Sequence, residues 1–121
     1  MSLPVYLALG AGGGVGAMLR FLLDGIVSER SDGAFPSGTF VVNISGALAL
    51  GLLFGAGAAG TTYAILGTGL LGGYTTFSTW MYETHRLAED GERASAAANV
   101  IVSLIAGVLA VALGRLIGMA L

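Results

Sequence analysis

Residues 33–82 read GAFPSGTFVVNISGALALGLLFGAGAAGTTYAILGTGLLGGYTTFSTWMY, and no Asp, Glu, Lys, Arg or His occurs among them. A bilayer core about 30 Å thick is crossed by about 20 apolar residues in a helix. The stretch is long enough for two such helices and a turn. Ala58-Ala59-Gly60-Thr61 marks the turn, and so short a connection forces a hairpin. Two more stretches without charge, residues 1–19 and 94–114, flank it, and each is long enough for one crossing. The chain therefore reads as four spans, at about 4–26, 36–57, 62–85 and 94–118, in one transmembrane domain covering residues 1–121.

The charges that remain fall into short patches. Arg20, Asp24, Glu29, Arg30 and Asp32 form the first, and Glu83, His85, Arg86, Glu89, Asp90, Glu92 and Arg93 the second; Arg115 stands alone. Only 10% of the 121 residues are charged and 55% are hydrophobic, against roughly 25% charged in a soluble domain. A soluble domain of this size would need more charge to cover its surface, and a disordered chain more still. There is no cysteine for a disulfide framework. The net charge of -2 is too small to suggest a nucleic-acid partner. Residues 1–23 lack a basic start and a small-x-small cleavage site, so they read as a span rather than a cleaved signal.

Local signals agree with these bounds. Pro4 and Pro36 fall near helix starts, where a missing N–H is harmless. Thr61 is placed to cap the third helix. The chain holds 21 glycines, and many pair four apart: Gly10/Gly14, Gly12/Gly16, Gly51/Gly55, Gly69/Gly73 and Gly114/Gly118. Small residues at that spacing let membrane helices approach closely. One copy of four short spans encloses little space, so a protected pathway implies an oligomer. Arg30, Arg86 and Arg93 share one side of the membrane, with Arg20 near its boundary, and Arg115 is alone on the other. The positive-inside rule leans those loops toward the cytoplasm, and so small a bias suits a protein inserted in both orientations.

Some runs exceed what packing requires. Gly72-Gly73-Tyr74-Thr75-Thr76-Phe77-Ser78-Thr79-Trp80 joins paired glycines to β-branched residues, a combination that weakens a helix. Broken backbone survives at mid-membrane only inside protein or along a cavity. A break frees carbonyl oxygens that suit a hard cation; a tight helix crossing with hydroxyls bonded to their own backbone is the other reading. In Pro36-Ser37-Gly38-Thr39-Phe40-Val41-Val42-Asn43-Ile44-Ser45-Gly46, the Asn43 amide can donate to an anion or to another helix. Arg20 either snorkels to the interface or lines a positive vestibule. Asn99 and Ser103, one turn apart, can face a pore, a dimer seam or a neighbouring helix. His85, among charges and without a partner for metal or catalysis, reads as a solvated interface residue.

Together GGGVGAMLRF (12–21), PSGTFVVNISG (36–46) and GLLGGYTTFSTW (69–80) resemble the Fluc/CrcB fluoride channels, in order and with the right spacing over almost the whole chain. The resemblance implies an all-α membrane protein with its third helix broken near the middle, assembled as an antiparallel dual-topology dimer with two fluoride pores in the cell inner (plasma) membrane. It also implies a structural Na⁺ at the dimer centre, held by main-chain carbonyls that correspond here to Gly72 and Thr75. Asn43 matches the pore asparagine and Phe77 the first pore phenylalanine. Ser78 and Thr79 match the hydroxyl-bearing stretch, Arg20 the vestibule arginine, and Ser103 is a further candidate for the pore wall. The family pattern departs at Trp80, usually a second Phe. Some members work as heterodimers of two paralogues, and Trp80 suits that arrangement as well as the homodimer.

Fluoride is small and strongly hydrated, so a path for it must replace water with donors. Amide N–H, hydroxyls and positive ring edges supply them. The expected activity is passive export of F⁻, because no ATP-binding motif and no midplane carboxylate occurs. A proton-coupled exporter of the small multidrug resistance kind needs such a carboxylate, and Asp24 and Glu83 lie at span ends. A scaffold subunit would explain the glycines but not the hydroxyl cluster. An enzyme would need a nucleophile–base pair or a metal cluster, and neither is found.

Overall fold

A computed structural model describes residues 1–121, and it is helical throughout, without strands. The helix α1 (Leu3–Glu29) carries Pro4 in its first turn, where the ring's fixed φ suits helix entry. Pro36 immediately precedes α2 (Ser37–Gly55). Between α2 and the last helix the chain runs in pieces: α3 (Gly60–Tyr63), π-helical turns (Ala64–Leu71), α4 (Gly72–Tyr74), a break, then α5 (Ser78–Glu89) and α6 (Arg93–Met119). Three helices, α1, α2 and α6, are long and apolar enough to cross a membrane. The 27 residues of α1 extend about 40 Å at about 1.5 Å each, beyond the expected 4–26 at both ends.

The third segment departs from an ordinary span in two ways. Residues 60–74 form one rod that widens to the π pattern and returns to α geometry. It then stops at Thr75, whose φ of -81° and ψ of 162° are extended. The glycine pair does not itself make this break. Gly72 is helical (φ -63°, ψ -39°), and the turn of chain opens three residues further on. Thr61 lies inside α3, whose N-cap is Ala59 without a side-chain bond, so it does not cap as expected. The tight hairpin rests on Gly57 and Gly60 instead, at φ values of 81° and 57° that favour a residue without Cβ.

Glycines decide how the rods meet. A Cβ added to Gly16 would run into the Leu70 carbonyl, and one on Gly73 into the Gly13 carbonyl. On the other side of the bundle, Gly51 and Gly55 lie on the carbonyls of Val111 and Arg115, while Gly114 and Gly118 lie on those of Leu48 and Leu52. Residue numbers rise together across each crossing. Thus α1 runs parallel to residues 60–74 and α2 parallel to α6, as alternating spans require. Four of the five glycine pairs read from the sequence interlock in this way. Gly10 and Gly14 have no neighbour within 4 Å.

Little of the chain is enclosed. Fifteen of 121 residues are buried, and Val42 and Asn99 are the largest side chains wholly inside. Large apolar side chains such as Leu7, Phe21, Leu104 and Leu109 point outward. So much exposed apolar surface requires lipid or another protein against it. The backbone already meets that condition: of 97 main-chain hydrogen bonds, 79 lie within helices, so the rods satisfy themselves in hydrocarbon.

Candidate functional site

The break is fastened by α2. The side-chain oxygen of Asn43 accepts the Thr76 N–H at 2.8 Å, and its amide nitrogen donates to the Thr76 carbonyl, also at 2.8 Å. One amide thus stands in for both bonds that a helix or sheet would have given Thr76. Thr76 Oγ1 in turn accepts the Thr79 N–H at 3.2 Å and so starts α5.

These two diversions expose specific carbonyls. In an unbroken helix the Thr76 N–H would go to the Gly72 carbonyl, and the Thr79 N–H to that of Thr75. Both donors are taken elsewhere, by Asn43 and by the Thr76 hydroxyl. Gly72 and Thr75 are therefore left with carbonyls free of helical bonding, the condition that a hard cation needs. The Arg20 guanidinium approaches the Thr75 oxygen at 3.5 Å, leaving the second lone pair of that oxygen for another partner. The Thr75 hydroxyl turns back to the Leu71 carbonyl at 2.9 Å and supplies no free donor. The two readings of this run are thus both present: a true break, and hydroxyls bonded to their own backbone.

The break separates two spaces. On one side lies an open groove of about 570 Å³, lined in part by Asn43, Gly72, Thr75, Phe77, Trp80 and Ser103. On the other lies a smaller cavity of about 280 Å³ that holds Arg20, Asp24, Thr39 and Thr79. Thr76 borders both. The residues singled out from the sequence are thus brought to one break but divided between its two faces. Ser78 begins α5 and lines neither space.

Chemistry differs residue by residue. Asn43 has two N–H groups and spends one on Thr76, so one is left for a ligand. Phe77 is 70% exposed and meets Trp80 edge to face, with centroids 5.7 Å apart and planes at 86°. The Trp80 indole N–H, a possible extra donor, is committed to the Asn99 carbonyl at 2.8 Å. Ser103 is buried and directs its hydroxyl at the Asn99 side chain, 3.4 Å away. His85 lies outside the site, exposed and paired with Glu89 at 3.2 Å. Sequence reasoning missed Thr76 as the hinge and Thr39 as a wall of the smaller cavity. Each contributes through tertiary placement that residue spacing does not signal.

Apolar rods, closely packed glycines and a helix broken inside the bundle define a multi-pass membrane protein. The CrcB-like protein, Camphor Resistance (CrcB) family model matches residues 7–115. The chain is 50% identical over 103 residues to "Fluoride-specific ion channel FluC 2" of Mycobacterium tuberculosis (strain ATCC 25618 / H37Rv), covering 85% of this chain and 82% of that protein. It is 50% identical over 113 residues to "Fluoride-specific ion channel FluC 1" of Frankia casuarinae, covering 86% and 88%. It is 46% identical over 117 residues to the FluC 1 protein of Rubrobacter xylanophilus, covering 95% and 94%. The chain belongs to the CrcB (FluC) family, a family of ion channels and not of enzymes.

Proposed function

We propose that this protein is a fluoride-selective passive channel that exports F⁻ across the cell inner membrane, acting as an antiparallel dual-topology dimer with two pores. The observation that carries the reading is the break fixed by Asn43, which opens the groove beside Phe77 in a chain whose relatives are named for fluoride. Asn43, Phe77, Trp80 and Ser103, which line the groove, are assigned to the pore; Thr79 shares the smaller cavity with Arg20, the vestibule residue, and Ser78 borders the pore only through its place between Phe77 and Thr79.

Selectivity then follows from donors. The remaining Asn43 N–H offers fluoride a partial replacement for water. The Phe77 ring, exposed and perpendicular to Trp80, offers edge hydrogens that carry partial positive charge in place of a full charge. Arg20 supplies a fixed positive charge on the far side of Thr76, in a cavity that it shares with Asp24. No carboxylate lines the groove, so nothing permanent repels an anion there. Where the outside is acidic, HF crosses the bilayer and dissociates inside, and the membrane potential drives F⁻ back out through such a path.

The freed carbonyls of Gly72 and Thr75 fit a structural sodium ion. Each chain offers two, and an antiparallel partner doubles the set. Bound there, the ion supplies positive charge that offsets the cost of anions in a low dielectric. A heterodimer with a paralogue is the second reading, favoured by Trp80 and by the numbered names FluC 1 and FluC 2 among the relatives. Fluoride efflux from liposomes that contain only this purified chain tests the proposal. Efflux is expected. A chain that inserts and dimerises yet stays silent overturns homodimer sufficiency, and silence in the presence of its paralogue overturns the channel reading.

A further inference from the structure

We propose that Asn99 is a positioning residue for the aromatic pair beside the groove: it anchors Trp80, and the anchored ring holds Phe77 at the angle that a passing anion meets. The proposal rests on the channel reading above. Asn99 lies on α6 and is completely buried. A buried amide is costly unless all its groups are bonded, and here they are. Its nitrogen donates to Thr84 Oγ1 at 2.8 Å and to the Trp80 main-chain carbonyl at 3.3 Å. Its side-chain oxygen faces the Ser103 hydroxyl at 3.4 Å. Its main-chain carbonyl accepts the Trp80 indole N–H at 2.8 Å. Thr84 closes the loop by donating its hydroxyl to the Trp80 carbonyl at 2.8 Å.

Two consequences follow from this inventory. Asn99 has no N–H left for an ion, in contrast to Asn43, so it acts only through what it holds. What its side chain holds is the Trp80 main-chain carbonyl, directly and through Thr84, while the far end of the ring is held by the main chain at position 99. Phe77 is largely exposed, and Trp80 is its one aromatic neighbour. The orientation of the Phe77 edge is therefore set from α6, through a residue that never touches the path.

Trp80 is the only tryptophan in the chain, beside four tyrosines, so fluorescence excited selectively at the indole reports this ring alone. The test compares wild type, Asn99→Leu and Thr84→Val in liposomes, reading fluoride flux and Trp80 anisotropy in parallel. Loss of the Asn99 amide bonds should lower flux about tenfold, and loss of the Thr84 hydroxyl about threefold. Both variants keep the indole bond to the main chain at position 99, so a fall in anisotropy and a rise in acrylamide quenching, in the same order, read the loosening of the Trp80 main chain that the amide and Thr84 hold. Thr84→Val keeps the side-chain volume and carries the test if Asn99→Leu does not fold. Lower flux with unchanged anisotropy, or a loosened ring with wild-type flux, overturns the positioning role. A wild-type chain without flux overturns the channel reading instead, while anisotropy still reads the anchor.

Discussion

Asn43 on α2 holds the main chain of Thr76 at both its N–H and its C=O, each at 2.8 Å, across the bundle. This bidentate contact makes the break a defined conformation. It removes the donor that would have closed the helix onto Gly72, and it leaves one amide N–H facing the groove.

Replacing Asn43 with Asp tests both halves of that contact. Aspartate can still accept the Thr76 N–H, but it cannot donate to the Thr76 carbonyl, and it places a negative charge on the anion path. Leaving that carbonyl unpaired costs about 1–3 kcal/mol. Fluoride flux in liposomes is expected to fall by at least about a hundredfold, since about 2.7 kcal/mol of barrier suffices. Unchanged flux would take Asn43 out of the pore.

Phe77→Ile keeps an apolar side chain and removes the ring edge. The account expects flux to drop by at least about tenfold, the effect of about 1.4 kcal/mol on the barrier, with the assembly intact by size-exclusion chromatography in detergent. A full-rate Phe77→Ile channel would rule out ring-edge recognition.

The glycine crossings make a stability prediction. Gly16→Ala drives a methyl into the Leu70 carbonyl, and Gly114→Ala drives one into the Leu48 carbonyl. Each should destabilise the folded chain by about 1–3 kcal/mol, seen as a lower thermal midpoint in detergent. Gly10→Ala meets nothing within 4 Å and should stay within about 0.5 kcal/mol of wild type. Equal midpoints for all three variants would mean that these crossings do not carry the packing.

Sodium should act as a stabilising ligand. A cation on the carbonyls of Gly72 and Thr75 would add about 2.7 kcal/mol at a hundredfold excess over its dissociation constant. Exchanging Na⁺ for a bulky organic cation at constant ionic strength is expected to lower the melting temperature and the flux together. A melting temperature indifferent to the exchange speaks against the cation site.

How far the sequence could be read follows from the kind of force at work. The membrane class and the three long apolar helices were legible because burial in lipid excludes charge locally, residue by residue. The glycine pairs were legible because close packing repeats every four residues. The break was legible only as a region. Gly72 and Gly73 looked like its cause, yet Gly73 serves the approach of α1, and the chain opens at Thr75 where Asn43 intervenes. That bond joins residues 33 apart and leaves no periodic trace. The π-helical turns over Ala64–Leu71 carry no residue pattern that sets them apart from α-helix. Asn99 could not be assigned from spacing alone, because its partners Trp80 and Thr84 lie on another helix.

The most direct test of the central claim, that an anion crosses beside the Asn43-fixed break using amide and ring-edge donors, is the ratio of fluoride to chloride efflux from liposomes holding the purified chain. The account predicts that fluoride empties from the vesicles while chloride stays behind. Equal rates for the two ions would contradict it.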